Sequence, residues 1–569
     1  MIGLLSLILL SALGIVVATL VVDANRFKSN IESSATNAGI ELAIEGNLAW
    51  QLYPLGLSVE RVNFTLSNQS MAGSADQLSL GVNLSTIFSL LNQRTQLPVS
   101  RLSVTNGRVL YALPANLPLQ FSQIDLSIED LNSEGQKFPT SLDLVTPKGI
   151  KVSFDADVGL LISDQKIARL EITDLQLKID KLLINGYFES SNNLTKIQGQ
   201  LNSEAFDLID QFKLVKRFVP DLLVPKMADK NALTNISFDS FFDITVDGVS
   251  KTQTSLSIDG QPIDIDIVID QPQYKLSTVV SGKTLNLNAY RAKPTTNTNN
   301  SMLFAPLAIP MAVWHGQSQL EVNLKSVELG ELKLSNLYAN LFGNQNIFRL
   351  TALSADTYGG QLNATAMLNM QRSKASFSVK SSVSNIDLGT VTQAFEELNI
   401  GGKFNLEANI QGSGDNTESI IQSLKGGGAL SVISPVYKGI NLEQTLCNAA
   451  ALFGGKPPSN ILWPEDTQLD NLTAKLRFAK DRLLISDYQT KLGDIDIYGN
   501  ASINLLSQRY TLNTTALASK TKSSANGCKI NQMIVKRKIP FRCKGALGDK
   551  INCKPDNNLI QTLLLSPKL

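Results

Sequence analysis

The chain has 569 residues, 43% hydrophobic and 18% charged, which is too long for one ordinary domain and too apolar for disorder. Lys and Arg number 51 against 50 Asp and Glu, so the net charge of +1 excludes the basic excess of a nucleic-acid binder. The one histidine, His315, rules out chemistry that needs paired histidines and reads as a structural residue beside Trp314.

The first element is an uncharged apolar run, Ile2 to Val22. As a helix rising about 1.5 Å per residue it would match a bilayer's hydrocarbon core, so the spacing predicts a transmembrane anchor over 1–22. The competing reading is a cleaved signal peptide, with Val22-Asp23-Ala24 as a loose cleavage site. The run is longer than a signal core, and no basic residue precedes it.

From there the apolar period is two. Leu57, Val59, Val62 and Phe64 nearly alternate with polar residues; Leu78, Leu80, Val82 and Leu84 alternate strictly, as do Ile124, Leu126 and Ile128. Leu170 and Ile172 alternate, then the phase slips by one before Leu175, Leu177 and Ile179, as a bulge or short turn would cause. Alternation puts one face of each strand on apolar material and the other in water, as antiparallel sheets allow. No βαβ rhythm appears. The apolar face of so large a sheet must close on itself as a core or stay open as a trough, and the pattern alone leaves both possible.

Three helices are predicted. Leu208, Ile209, Phe212, Val215 and Val219 fall at helical spacing before Pro220. A second helix runs from about Asn416 to Leu424, with Asp415 as N-cap, and a third follows Asn441 in a capping-box-like NLEQ and stops at Gly454-Gly455. Such amphipathic helices ordinarily cover a sheet end or edge. The polar stretch Arg291 to Ser301 reads as a linker. The expected organisation is therefore an anchor at 1–22, a β-rich region at 23–291, a linker at 292–301 and a second β-rich region at 302–569. Gly426-Gly427-Gly428 and Gly454-Gly455-Lys456 fit no Walker pattern and read as punctuation.

Three groups of residues resemble the AsmA family. The first is Gly46-Asn47-Leu48-Ala49-Trp50, then Tyr53-Pro54-Leu55-Gly56-Leu57 and Val62. The second is Tyr358-Gly359-Gly360 followed by Asn385 to Val391, with Ile386 where the family has valine. The third runs from Gly401-Gly402-Lys403-Phe404-Asn405-Leu406 through Gly412-Ser413-Gly414, Leu424-Lys425-Gly426 and Lys438-Gly439-Ile440-Asn441, and on to Leu483–Tyr488 and Gly499-Asn500-Ala501. The resemblance implies a mainly β fold: an elongated, curled antiparallel sheet (β-groove or β-taco-like) with a few short helices and one N-terminal transmembrane helix. It further implies a single-pass inner-membrane protein of a Gram-negative bacterium, its bulk in the periplasm, acting in outer-membrane biogenesis. Phospholipid or lipopolysaccharide would be its ligand, and outer-membrane assembly proteins are candidate partners. The family has no catalytic motif, so no enzyme activity, cofactor or metal is expected. The groove would use Leu57, Val59, Val62, Phe64, Leu78, Leu80, Val82, Leu84, Ile124, Leu126 and Ile128. The alternative is a non-catalytic assembly factor with a closed core.

All four cysteines lie late in the chain. Flanks turning about Gly548 would set Cys543 opposite Cys553, at a Cα separation of about 5 Å that suits a disulfide. Cys447 and Cys528 would then pair. Free thiols and a metal site are the alternatives, and no CxxC spacing supports the latter. The ending Ile539-Pro540-Phe541-Arg542-Cys543 with Cys553-Lys554-Pro555-Asp556 also resembles the family. Lys529, Lys536, Arg537, Lys538, Arg542, Lys544, Lys550 and Lys554 make this tail basic, either to meet anionic lipid or as a solvated strand face.

Overall fold

The computed structural model describes residues 23–547 and 553–555, except 38, 53–54, 67–69, 83–98, 112–118, 133, 164–165, 220–221, 223, 225–226, 228, 292–316, 372–373, 396–399, 440, 442, 445–461, 520–534 and 537. The chain divides after Gly260 into two compact units. The polar stretch 292–301, expected to be the linker, is outside the described residues and within the second unit.

The first unit holds β1 (Ile40–Ile44), β2 (Leu48–Leu52), β3 (Leu55–Leu66), β4 (Met71–Val82), β5 (Val99–Tyr111), β6 (Leu119–Ile128), β7 (Glu134–Val145), β8 (Lys151–Ser163), β9 (Lys166–Ile179), β10 (Leu182–Ser191), β11 (Lys196–Phe206), β12 (Ile236–Thr245) and β13 (Val249–Ile258). From β3 onward each strand pairs antiparallel with the next, and β1 and β2 both pair with β3.

The second unit holds β14 (Gln261–Asp270), β15 (Lys275–Asn286), β16 (Gln317–Leu329), β17 (Leu332–Asn344), β18 (Ile347–Thr357), β19 (Gly360–Asn369), β20 (Ala375–Asp387), β21 (Ile400–Gly414), β22 (Lys425–Tyr437), β23 (Thr467–Gln468), β24 (Leu472–Ala479), β25 (Arg482–Leu492), β26 (Ile495–Asn504), β27 (Arg509–Ala518), β28 (Lys538–Ala546) and β29 (Cys553–Pro555). Its pairs are antiparallel with one exception, the parallel pair β15–β16. Parallel neighbours need a connection of about a dozen residues or more, and residues 287–316 separate the two strands in sequence.

The expected fold needs a correction. The described chain is mainly β with short helices, but no described helix is long and apolar enough to cross a membrane. Its longest, α1 (Lys28–Asn37), has ten mostly polar residues, about half the length a bilayer requires. Residues 1–22, on which the anchor was expected, lie outside the described residues.

The phase slip in β9 is a bulge. Asp174 has φ +51°, and the register breaks at Asp155/Asp157 on one side and Gly186/Phe188 on the other. Arg61, at φ +57°, does the same in β3: Glu60 and Arg61 are both exposed, so Val59 and Val62 can both be buried. Bulges bend a strand while keeping its apolar residues on one face.

Buried side chains gather in small clusters. In the first unit Ile44, Leu48, Leu57, Val59, Val62 and Ala75 pack with Ala24 of a 3-10 turn (Ala24–Phe27) and with Ile31 of α1. Phe27 meets Trp50 edge-on, ring centroids 5.9 Å apart. The Asn25 side chain accepts from the Leu48 N–H at 3.0 Å, and Glu32 accepts from the Ile44 N–H at 3.1 Å. The turn and α1, which the sequence reading did not anticipate, thus cap the start of the sheet.

The predicted helices fare differently. α2 (Leu208–Lys216) forms under the Asp207 N-cap, but none of its residues is buried, so it does not cover the sheet as expected. α3 (Leu388–Phe395) was not anticipated. α4 (Thr417–Ser423) is capped by Asn416 in a capping box with Ser419, in place of the expected Asp415. At the third site the Asn441 side chain accepts from the Gln444 N–H at 2.7 Å, and residues 445–461 lie outside the described residues.

Candidate functional site

Directly paired residues on neighbouring strands project from the same face of a sheet. Following these pairs turns the separate alternations into ranks that cross the strands. In the first unit Val59 pairs with Leu78, Leu78 with Val104, Val104 with Leu126, and Leu126 with Leu142. Leu142 then pairs with Phe154, Phe154 with Leu177, and Leu177 with Ile184. Every member of this eight-strand rank, β3 to β10, is apolar. A second rank joins Leu57, Leu80, Leu102 and Ile128.

The predicted groove residues fall into these ranks or beside them. Leu57, Val59 and Val62 are almost fully buried at 2–4% exposure, within the cap cluster. Phe64 covers Gly73, where any Cβ would meet its ring. Leu78, Leu80, Ile124, Leu126 and Ile128 are half-buried. Val82 ends β4, its side chain outside the described set, and Leu84 lies outside the described residues. The ranks add Val104, Leu142 and Phe154, which the sequence reading missed. Alternation marks them too, but only register shows that they continue the same line.

The second unit repeats the arrangement. Ile265 pairs with Val280, Val280 with Val322, Val322 with Ala339, Ala339 with Leu353 and Leu353 with Ala364. Ala364 continues to Ser381, Ala408 and Gly428. Beyond them come Leu476, Ile485, Ala501, Leu512 and Cys543. Where the rank shrinks to Ala364, Ser381, Ala408 and Gly428, a hollow of about 730 Å³ opens. That volume is in the range of a site for one small ligand. Gly428 belongs there for a second reason: a Cβ at that position would collide with the Glu407 carbonyl of the adjacent strand. Small residues in a strand carry no pattern of their own, so the hollow could not be read from sequence.

None of the three ranks contains a charged side chain. Tyr488, paired with Gly499, stands near the rank of the second unit, and burial pushes its phenol up from the usual tyrosine range. Its hydroxyl donates to the Asn513 carbonyl at 3.5 Å. Chemically the ranks can exclude water and hold apolar groups, while the lining of the hollow also includes Lys380 and Glu407.

Cys543 is fully buried, and no cysteine among the described residues is free. The backbone register sets Cys543 directly opposite Cys553, and the bond between these two remains a proposal. Cys447 and Cys528 lie outside the described residues, as does His315. Of the basic tail, Lys538, Arg542 and Lys544 of β28 are exposed on the face opposite Cys543, and Arg542 Nε donates to the Asn513 side chain at 3.1 Å. Lys536 is also exposed; Lys529, Arg537 and Lys550 are outside the described residues, and Lys554 is in β29.

Two residues singled out by resemblance meet here. Asp387 stands at the start of α3, where its carboxylate accepts from the Thr390 N–H at 3.2 Å and from the Lys403 ammonium at 3.0 Å. Those hydrogen bonds, that from Lys403 foremost, hold its carboxyl below the usual carboxylate range. The Asn385–Val391 and Gly401–Leu406 segments are thereby tied together.

Comparison with known proteins agrees with this structure. The chain is 19% identical to Protein AsmA of Escherichia coli (strain K12) over 534 residues, covering 87% of this chain and 84% of that protein. The model of the AsmA family matches residues 165–487, a stretch that runs from the end of the first rank through the hollow. With more than half of its length matched, the chain belongs to the AsmA family.

Proposed function

We propose that the protein shelters phospholipid acyl chains on its apolar ranks and passes them from strand to strand along those ranks without catalysis. Family membership supports a role in outer-membrane and lipid-related biogenesis. The finer reading rests on one observation. Leu80, Leu126, Leu142, Phe154 and Leu177 are half-buried, although they lie in the middle of an apolar face. A closed core would bury such residues fully, because interiors pack to crystal-like density. Apolar surface left open over many strands calls for an apolar occupant, and each methylene removed from water contributes about 0.8 kcal/mol. Such a ligand would be met in the cell envelope, with the strands in the periplasm.

The test is mass spectrometry of lipids that stay with the full-length protein after extensive washing in a lipid-free detergent. Near-stoichiometric phospholipid is expected, reduced in Leu126→Asp and Leu142→Asp variants that keep the β-rich circular dichroism of the parent. Lipopolysaccharide in place of phospholipid would change the ligand. A stable, lipid-free protein would hand the lead to the assembly-factor reading.

A further inference from the structure

α2 stands apart from the other helices because its apolar stripe runs out into solvent. Leu208 and Phe212, near its start, are half-buried. One turn on, Val215, Phe218 and Val219 are 48%, 43% and 50% exposed. They share one side, because the Phe218 and Val219 N–H groups both donate to the Val215 carbonyl and prolong the helical turn past Lys216. An aromatic and two β-branched side chains at adjoining positions form an exposed apolar tip.

The charges on the tip itself are basic, and the sequence next turns acidic at Asp221. From Gln211 to Val219 there are three basic residues and no acidic one. Lys213 is held by Asp210 at 2.7 Å, while Lys216 and Arg217 form no ion pair among the described residues. A helix C-terminus favours cations, which accounts for basic residues in the last turn. It does not account for exposing Phe218 beside them. An apolar tip flanked by cations that have no ion pair among the described residues is what an amphipathic helix presents to a membrane surface: the apolar residues enter the headgroup boundary, and the cations meet anionic headgroups.

We infer that the C-terminal half of α2 docks the protein on a bilayer surface containing anionic phospholipid, through Val215, Phe218 and Val219 with Lys216 and Arg217. This contact is separate from the ranks, since it concerns where the body touches a membrane and not what the sheet holds. A protein can therefore pass the lipid-retention test and fail this one, or the reverse.

Hydrogen exchange read by mass spectrometry on the full-length protein tests it locally, so that binding through the apolar stretch Ile2–Val22 is not mistaken for binding through α2. Vesicles of phosphatidylcholine carrying phosphatidylglycerol should slow exchange across 208–219. Lys216→Gln with Arg217→Gln should raise the vesicle concentration needed by roughly 30-fold. Phe218→Ser should abolish the protection, with exchange in β12 unchanged as the check on folding. Unaltered exchange in 208–219 with vesicles present would overturn the inference. So would equal protection by phosphatidylcholine alone, or protection that rises with protein concentration in the absence of vesicles, which would assign the surface to a second copy of the chain.

Discussion

At the scale of single residues, the difference between covered and open positions of the sheet can be measured. Leu57 is 2% exposed within the cap cluster, so Leu57→Ala should cost about 3 kcal/mol in urea unfolding, as buried leucines do. Ala364 lines the hollow and is only half-buried. Ala364→Phe should fill the hollow, leave stability nearly unchanged and lower the lipid retained by the second unit, as read by native mass spectrometry. Ser190 makes the opposite point. It is 2% exposed and its hydroxyl has no hydrogen-bond partner among the described residues, so Ser190→Ala should be neutral or stabilise by up to about 1 kcal/mol in thermal unfolding. None of these three costs can be ranked from sequence, because Leu57, Ala364 and Ser190 sit in similar alternating strands and differ only in what lies over them.

At the scale of elements, local chemistry is legible where a side chain meets its own backbone. Asp207 and Asn416 cap helices that the sequence pattern predicts. α3 escaped notice because its signal, Asp387 before Leu388, resembles the end of a strand, and only the Lys403 contact from a neighbouring strand reveals its double role. Asp387→Ala should loosen α3 by about 1 kcal/mol, seen as faster hydrogen exchange in 388–395. The sign with pH follows from the lowered folded-state value: Lys403 and Thr390 favour the charged carboxylate, so their contribution is present above the unfolded pKa of about 3.9 and fades as pH falls through the lower folded pKa. Protection of α3 should therefore persist at pH 5 and decline only in strong acid. α2 was predicted as an element and misread as a cover, since amphipathicity records that a helix has an apolar stripe and not whether anything lies against it.

For the molecule as a whole, each unit carries its own uncharged rank, and each should hold lipid by itself. Leu353→Asp in the second unit should lower the retained phospholipid without abolishing it, and combination with Leu126→Asp should remove most of the remainder. Period-two alternation and the bulge near Asp174 could be read in the sequence, because each depends on residues close together along the chain, whereas the division after Gly260 was not expected there. The alternating positions Leu57 to Leu80 are legible for the same reason, whereas their use as a groove belongs to the proposed function. The parallel step from β15 to β16, the continuity of the ranks and the hollow at Ala364, Ser381, Ala408 and Gly428 could not be read there. These depend on which residues face one another across strands, and register is set by long-range pairing and by bulges that shift it one residue at a time. The sequence by itself determined that one face of the sheet is apolar; the tertiary structure alone decided that this face stays partly open, because openness is a property of what is absent above a residue.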